Sequence, residues 1–170
     1  MKTPWIDPRA ARFIDYLQQF KNDRGALACL RGGLSEARRP NAWPLLGGFV
    51  DSIGNVAFET VAALWANVAD SGVGGGNLGA TLARLVTEHN SVEGRFKRLL
   101  TCDRDEILSR IVPVVRTAQA KGARIDCVRL LSDLLQWNDR VRVEWAKAFW
   151  GAEEPDGGIM SALLDKEAGK

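Results

Sequence analysis

Residues 121–150 read Lys-Gly-Ala-Arg-Ile-Asp-Cys-Val-Arg-Leu-Leu-Ser-Asp-Leu-Leu-Gln-Trp-Asn-Asp-Arg-Val-Arg-Val-Glu-Trp-Ala-Lys-Ala-Phe-Trp, and this stretch decides the fold class. Lys121-Gly122 is a helix stop, since glycine takes the left-handed conformation that ends a helix without a Cβ penalty. Asp126 is an N-cap, its short carboxylate positioned to accept orphan backbone amides. Val128, Leu131 and Leu135 then recur at helical spacing, and Leu130 and Leu134 widen the stripe, which predicts a central helix. Asn138-Asp139 caps a second helix with Val141, Trp145, Ala148 and Phe149 inward, and Gly151 ends it. Two capped, 3.6-periodic segments with no alternating pattern between them are helical-bundle grammar.

The rest of the chain follows the same grammar. Asp103-Arg104-Asp105-Glu106 is a capping box opening a helix through Ile107, Leu108, Ile111, Val115 and Ala118, with Pro113 expected to kink or split it. Asp7-Pro8 starts a helix carrying Phe13, Ile14, Leu17 and Phe20. A short helix over Ala26–Arg31 ends at Gly32-Gly33, and Pro44 limits another, near Trp43, to a first turn. Helices are expected over about Val56–Ala69, after Asn77 and after Ser91. Strand alternation is missing throughout, so the fold class is all-α: a single compact bundle of about eight short helices over residues 1–151, then a flexible acidic C-terminal tail, 152–170. Ser71–Gly79 reads as a mobile glycine loop. Trp65, Trp137 and Trp145 fall on apolar stripes, whereas Trp5, Trp43 and Trp150 sit at element ends.

Composition narrows the chemistry. The 170 residues hold one histidine, His89, and three isolated cysteines, Cys29, Cys102 and Cys127, so no two-histidine site, C-x-x-C motif or metal is implied. Unpaired cysteines suit a reducing cytoplasm, and neither a signal core nor an 18-residue apolar run is present. Gly74-Gly75-Gly76-Asn77-Leu78-Gly79 matches G-x-G-x-x-G only formally, because a helical pattern, not a strand, precedes it. His89 reads as a surface or helix-end residue, and no nucleophile elbow or H-E-x-x-H occurs. The chain reads as a non-enzyme without a cofactor.

Charge carries the remaining information. The total of +2 conceals alternating blocks: residues 9–39 carry seven bases against three acids, 40–94 one against five, 95–147 twelve against seven, and 148–170 two against five. Sixteen of the 23 bases are arginine, whose planar fork grips phosphate bidentately. Two Arg-rich stretches meeting on one exterior surface would form a track for a polyanion; solvated helix faces with local ion pairs are the alternative. Arg95 and Arg98 share a face; Arg104, Arg110 and Arg116 are six apart and lie about 120° from one another on a straight helix.

The order of these motifs resembles a known family. Residues 95–106 (Arg-Phe-Lys-Arg-Leu-Leu-Thr-Cys-Asp-Arg-Asp-Glu), Ile125-Asp126, residues 129–137 and residues 141–150 together resemble CasB, the small subunit of the type I-E CRISPR Cascade surveillance complex. The similarity is strongest over 91–151 and collinear over 8–88. The resemblance implies an all-helical, non-catalytic subunit that packs head to tail with a second copy and contacts other Cascade subunits and their CRISPR RNA (crRNA). It also implies a basic surface that holds the displaced non-target DNA strand and stabilises the R-loop. The candidate nucleic-acid-binding residues are Arg31, Arg95, Arg98, Arg104, Arg110, Arg116, Arg140 and Arg142. Thr101 and Pro113 depart from the family pattern by standing where it often has bases. A purely structural scaffold and a helix-turn-helix regulator reading DNA through residues 127–137 are the alternatives.

Overall fold

Local capping chemistry sets where most helices begin. The computed structural model describes residues 3–70, 72–86 and 91–151, so the readings of His89 and of the 152–170 tail fall outside the described residues. Helix α1 (Pro8–Leu17) opens on Asp7, whose carboxylate accepts from the Arg9 amide at 2.9 Å. Helix α2 (Arg24–Arg31) starts two residues before its apolar pattern does, because Asp23 caps the Ala26 amide. Helix α3 (Trp43–Leu46) is the single turn that Pro44 permits. Helix α4 (Val56–Asn67) follows Asn55, and Asn77 caps α5 (Leu78–Val86) through the Ala80 amide. Helices α6 (Ser91–Leu100), α7 (Arg104–Ala120), α8 (Cys127–Leu135) and α9 (Asp139–Trp150) complete an all-α bundle, with nine α-helices and no strand among the described residues.

Pro113 does not split α7, which runs unbroken from the Asp103/Glu106 capping box to Lys121, with Gly122 at φ +82°. The proline removes one backbone donor, but Ile107 and Ile111 before it and Val115 and Ala118 after it are all buried, and packing holds the helix together.

Helix α4 is buried at every residue from Ala57 to Ala66 and packs on α2, α7 and α8. It therefore shares the centre with α8, the helix singled out by sequence. Phe13 meets Phe49 and Phe58 edge-on, at 5.1 and 4.9 Å between centroids, and welds α1 to α4. Helix α5 lies so close to α9 that a Cβ on Gly79 would sit 2.2 Å from the Trp145 carbonyl oxygen. The glycine loop is packed rather than free-standing at Gly74, where a Cβ would meet the Arg124 carbonyl oxygen at 2.1 Å. Trp65, Trp137 and Trp145 are buried, and Trp5, Trp43 and Trp150 are exposed. The three cysteines are free, and burial raises the Cys127 thiol to about 12, leaving it inert. Among the described residues, no helix is long and apolar enough to cross a membrane.

Three carboxylates are buried among the described residues, Asp7, Glu59 and Asp133, and arginines partner them, Arg9 in the case of Asp7. Glu59, fully buried on α4, receives the Trp43 indole N–H at 2.9 Å and the Gly54 amide at 2.8 Å, with Arg39 Nε 3.0 Å away as its counter-charge. Asp133 on α8 receives the Trp145 indole at 2.7 Å and pairs with Arg129 at 3.2 Å; Arg129 also reaches Glu144 at 3.2 Å. Burial pushes the Asp133 carboxyl above its ordinary range, and the Trp145 hydrogen bond and Arg129 oppose that rise.

Candidate nucleic-acid interface

Phe96 and Leu99 bury one side of α6, and Ile107, Ile111 and Val115 bury one side of α7. The helices pack together, and the side chains that remain face each other across an open groove of about 800 Å³. Arg95, Arg98 and Arg110 line it, with Thr101, Thr117, Leu99, Cys102, Glu106, Pro113 and Val114. Arg95 Nη1 reaches Thr117 Oγ1 at 3.5 Å, tying α6 to α7 across the cleft. Glu106 is the one carboxylate among the lining residues, and its Oε2 already accepts from the Asp103 amide at 3.2 Å. No aspartate or glutamate forms an ion pair with Arg95, Arg98 or Arg110 among the described residues. Guanidinium groups left uncompensated at an exposed cleft produce a positive potential that a polyanion can use.

The other candidates are placed differently. Arg104 is exposed and donates to the Leu135 carbonyl at 3.2 Å, at the α6–α7 turn. Arg142 donates to the Cys102 carbonyl, pairs with Asp139 at 2.9 Å and lies 5.5 Å from the Trp137 ring centroid. Arg116 is exposed on α7, turned about 120° from Arg110 along the continuous helix. Arg140 pairs with Glu144 at 3.8 Å. Arg31 donates to the Ala66 carbonyl at 3.0 Å, at the end of α4.

All of the groove's arginines come from the 95–147 stretch. In the earlier stretch, Arg9 is paired with Asp7 at 2.8 Å, Arg31 with the α4 terminus and Arg39 with Glu59. Arg31 nevertheless stays exposed, as do Arg12, Lys21, Arg24 and Arg38 of the same stretch. The sequence reading also missed Thr101 and Thr117 as lining hydroxyls. For Thr117 the readable signal was its spacing, seven residues beyond Arg110 and so on the same face of α7.

Fold and groove together define an all-helical chain that presents an arginine-rimmed cleft. The family model described as CRISPR-associated protein Cse2 matches residues 26–150. A CRISPR-associated protein Cse2 from Thermus thermophilus is 35% identical over 160 residues, covering 83% of this chain and 89% of that protein. The crystal structure of CasB from Thermus thermophilus superposes with a TM-score of 0.70 at 31% identity, covering 86% of this chain and 100% of that one. A chain of a CRISPR RNA-guided surveillance complex shares the fold, with a TM-score of 0.69 at 23% identity over 94% of this chain and 97% of its own. The chain belongs to the CRISPR-associated Cse2 family, also called CasB.

Proposed function

We propose that this chain is the non-catalytic small subunit of a type I-E Cascade complex, and that its α6–α7 groove grips the phosphate backbone of the displaced non-target strand. The observation that carries the reading is the convergence of Arg95, Arg98 and Arg110 on one open cleft with no acidic partner for any of them among the described residues. R-loop formation exchanges a DNA duplex for a heteroduplex of nearly equal stability, so a modest grip on the freed strand tips the balance. Phosphate contacts carry no sequence information, which suits a strand whose sequence changes with every target. The groove holds no aromatic side chain on which bases could stack, so binding rests on the backbone. A second copy placed head to tail would lengthen the track, while other subunits and the crRNA hold both copies in place.

The buried state of α8 argues against the helix-turn-helix alternative. Cys127 and Arg129 through Leu134 are all buried, leaving no face to enter a major groove. The test is target retention by the assembled, crRNA-loaded complex carrying R95E/R98E/R110E. The expected result is normal assembly with faster R-loop collapse. Assembly with unchanged R-loop lifetime would favour the scaffold reading and overturn this one.

A further inference from the structure

The strongest observation outside the groove is the packing at the end of α9. Phe149 stacks on Phe96 at 4.3 Å, and Trp150 packs on the same ring at 5.3 Å, so the last turn of α9 is pinned to α6. The Trp150 indole donates to Glu93 Oε1 at 2.9 Å, and Glu93 pairs with Lys97 at 3.6 Å. That hydrogen bond, with Lys97, holds the Glu93 carboxyl below its usual range. Gly151 therefore ends the helix beside α6, on which Lys97 and Arg98 are exposed.

The next residues are Ala-Glu153-Glu154-Pro-Asp156-Gly-Gly, followed by Ile159-Met160-Ser-Ala-Leu163-Leu164. Asp156 lies five residues beyond Gly151, a reach of up to about 17 Å when extended. A helix is about 10 Å across, so that span is long enough to carry the acids over α6 into the groove. These residues follow the stretch that the family model matches, 26–150.

We infer that the acidic C-terminal segment docks in the α6–α7 groove and competes there with nucleic acid. Complementarity exists at two levels. Glu153, Glu154 and Asp156 match Arg95, Arg98 and Arg110, which have no acidic partners among the described residues. Ile159, Met160, Leu163 and Leu164, four apolar residues within six positions, match the apolar floor of Leu99, Pro113 and Val114. A segment of the same chain is present at high effective concentration, so individually weak pairs suffice. The device would keep the isolated subunit off cellular nucleic acid until a long displaced strand out-competes the segment. This inference rests on the proposed role of the groove.

The experiment compares the full chain with its E153Q/E154Q/D156N variant, using a fluorescein-labelled oligothymidylate, and adds zero-length carbodiimide cross-linking with peptide mapping. Exposed ion pairs each shift an equilibrium by roughly a factor of two, so neutralising three should tighten oligothymidylate binding by close to tenfold. Cross-links from Lys97 to Glu153, Glu154 or Asp156 should appear beside the Lys97–Glu93 product, which serves as the internal control. They should vanish in R95E/R98E/R110E and on adding the oligonucleotide. Tighter binding without those cross-links would mean general repulsion and would overturn docking, as would equal affinities. If R95E/R98E/R110E leaves oligonucleotide affinity unchanged, the nucleic-acid reading of the groove fails, and with it the competition, while the cross-links still report whether the segment docks.

Discussion

The salt dependence of single-strand binding measures how many groove arginines meet phosphate. The groove offers three guanidinium groups, from Arg95, Arg98 and Arg110. Each single-strand phosphate neutralised contributes about −0.7 to the slope of log K against log salt, so three contribute about −2. Raising salt from 50 to 200 mM should then weaken binding roughly 20-fold. The titration is best made on the full chain carrying E153Q/E154Q/D156N, where the acidic segment offers no competition. Replacing all three arginines with alanine should weaken binding at low salt and flatten the slope by about 2; replacing Arg98 alone should flatten it by about 0.7. Oligothymidylate and a mixed-sequence strand should behave alike, because no aromatic lines the cleft. Fluorescence polarisation across a salt series reads all of this. A triple variant that binds more weakly with an unchanged slope would refute the reasoning, since the arginines would then be acting through the fold.

Two further predictions concern the scaffold that positions the groove. Gly79→Ala places a methyl 2.2 Å from the Trp145 carbonyl oxygen and forces α5 and α9 apart. Overpacking of this kind costs about 1–3 kcal/mol and outweighs the roughly 1 kcal/mol that alanine offers a helix; a lower urea midpoint checks it. The hydrogen bond from Arg9 holds the Asp7 carboxyl below its ordinary 3.8, so its contribution to stability is complete above that pH and is lost as pH falls through the lowered value. Asp7→Asn should therefore lower the urea midpoint near neutrality and flatten its decline as pH falls below 3.8, as followed by circular dichroism.

What the sequence made legible was local. Asp7-Pro8, the Asp103/Glu106 box, Asp126, Asn138 and Gly122 all act within a few residues of themselves, so helix starts and stops could be read without knowing the tertiary structure. The start of α2 was missed because Asp23 caps residues that are not apolar. Pro113 was overvalued because burial on both sides of it is a tertiary fact. Two of the buried carboxylates did leave a trace: Glu59 is the one acid in the largely apolar Val56–Asn67, and Arg129–Asp133 is an i, i+4 pair inside a leucine-rich helix. Their distant partners, Trp43 with Arg39 and Trp145 with Glu144, were unreadable because they are brought close only by folding. The groove was half legible for the same reason. Spacing put Arg95 and Arg98 on one face of α6, but only the docking of α6 on α7 set Arg110 opposite them.

Three of the candidate arginines outside the groove share a physical destination. Arg31 donates to Ala66 at the end of α4, Arg104 to Leu135 at the end of α8, and Arg142 to Cys102 just beyond α6. Each helix end leaves carbonyls without intrahelical partners and carries a partial negative charge, which a guanidinium satisfies. Chain-wide charge counting cannot separate these arginines from those of α6 and α7, because both kinds occupy exposed helix positions. What separates them is whether a helix C-terminus lies within reach. A guanidinium has five N–H donors, and Arg104 spends one on Leu135 while remaining exposed. Arg104 can therefore hold the end of α8 and still offer a phosphate contact where the groove meets the α6–α7 turn. Arg142 is held by two partners, the Cys102 carbonyl and Asp139.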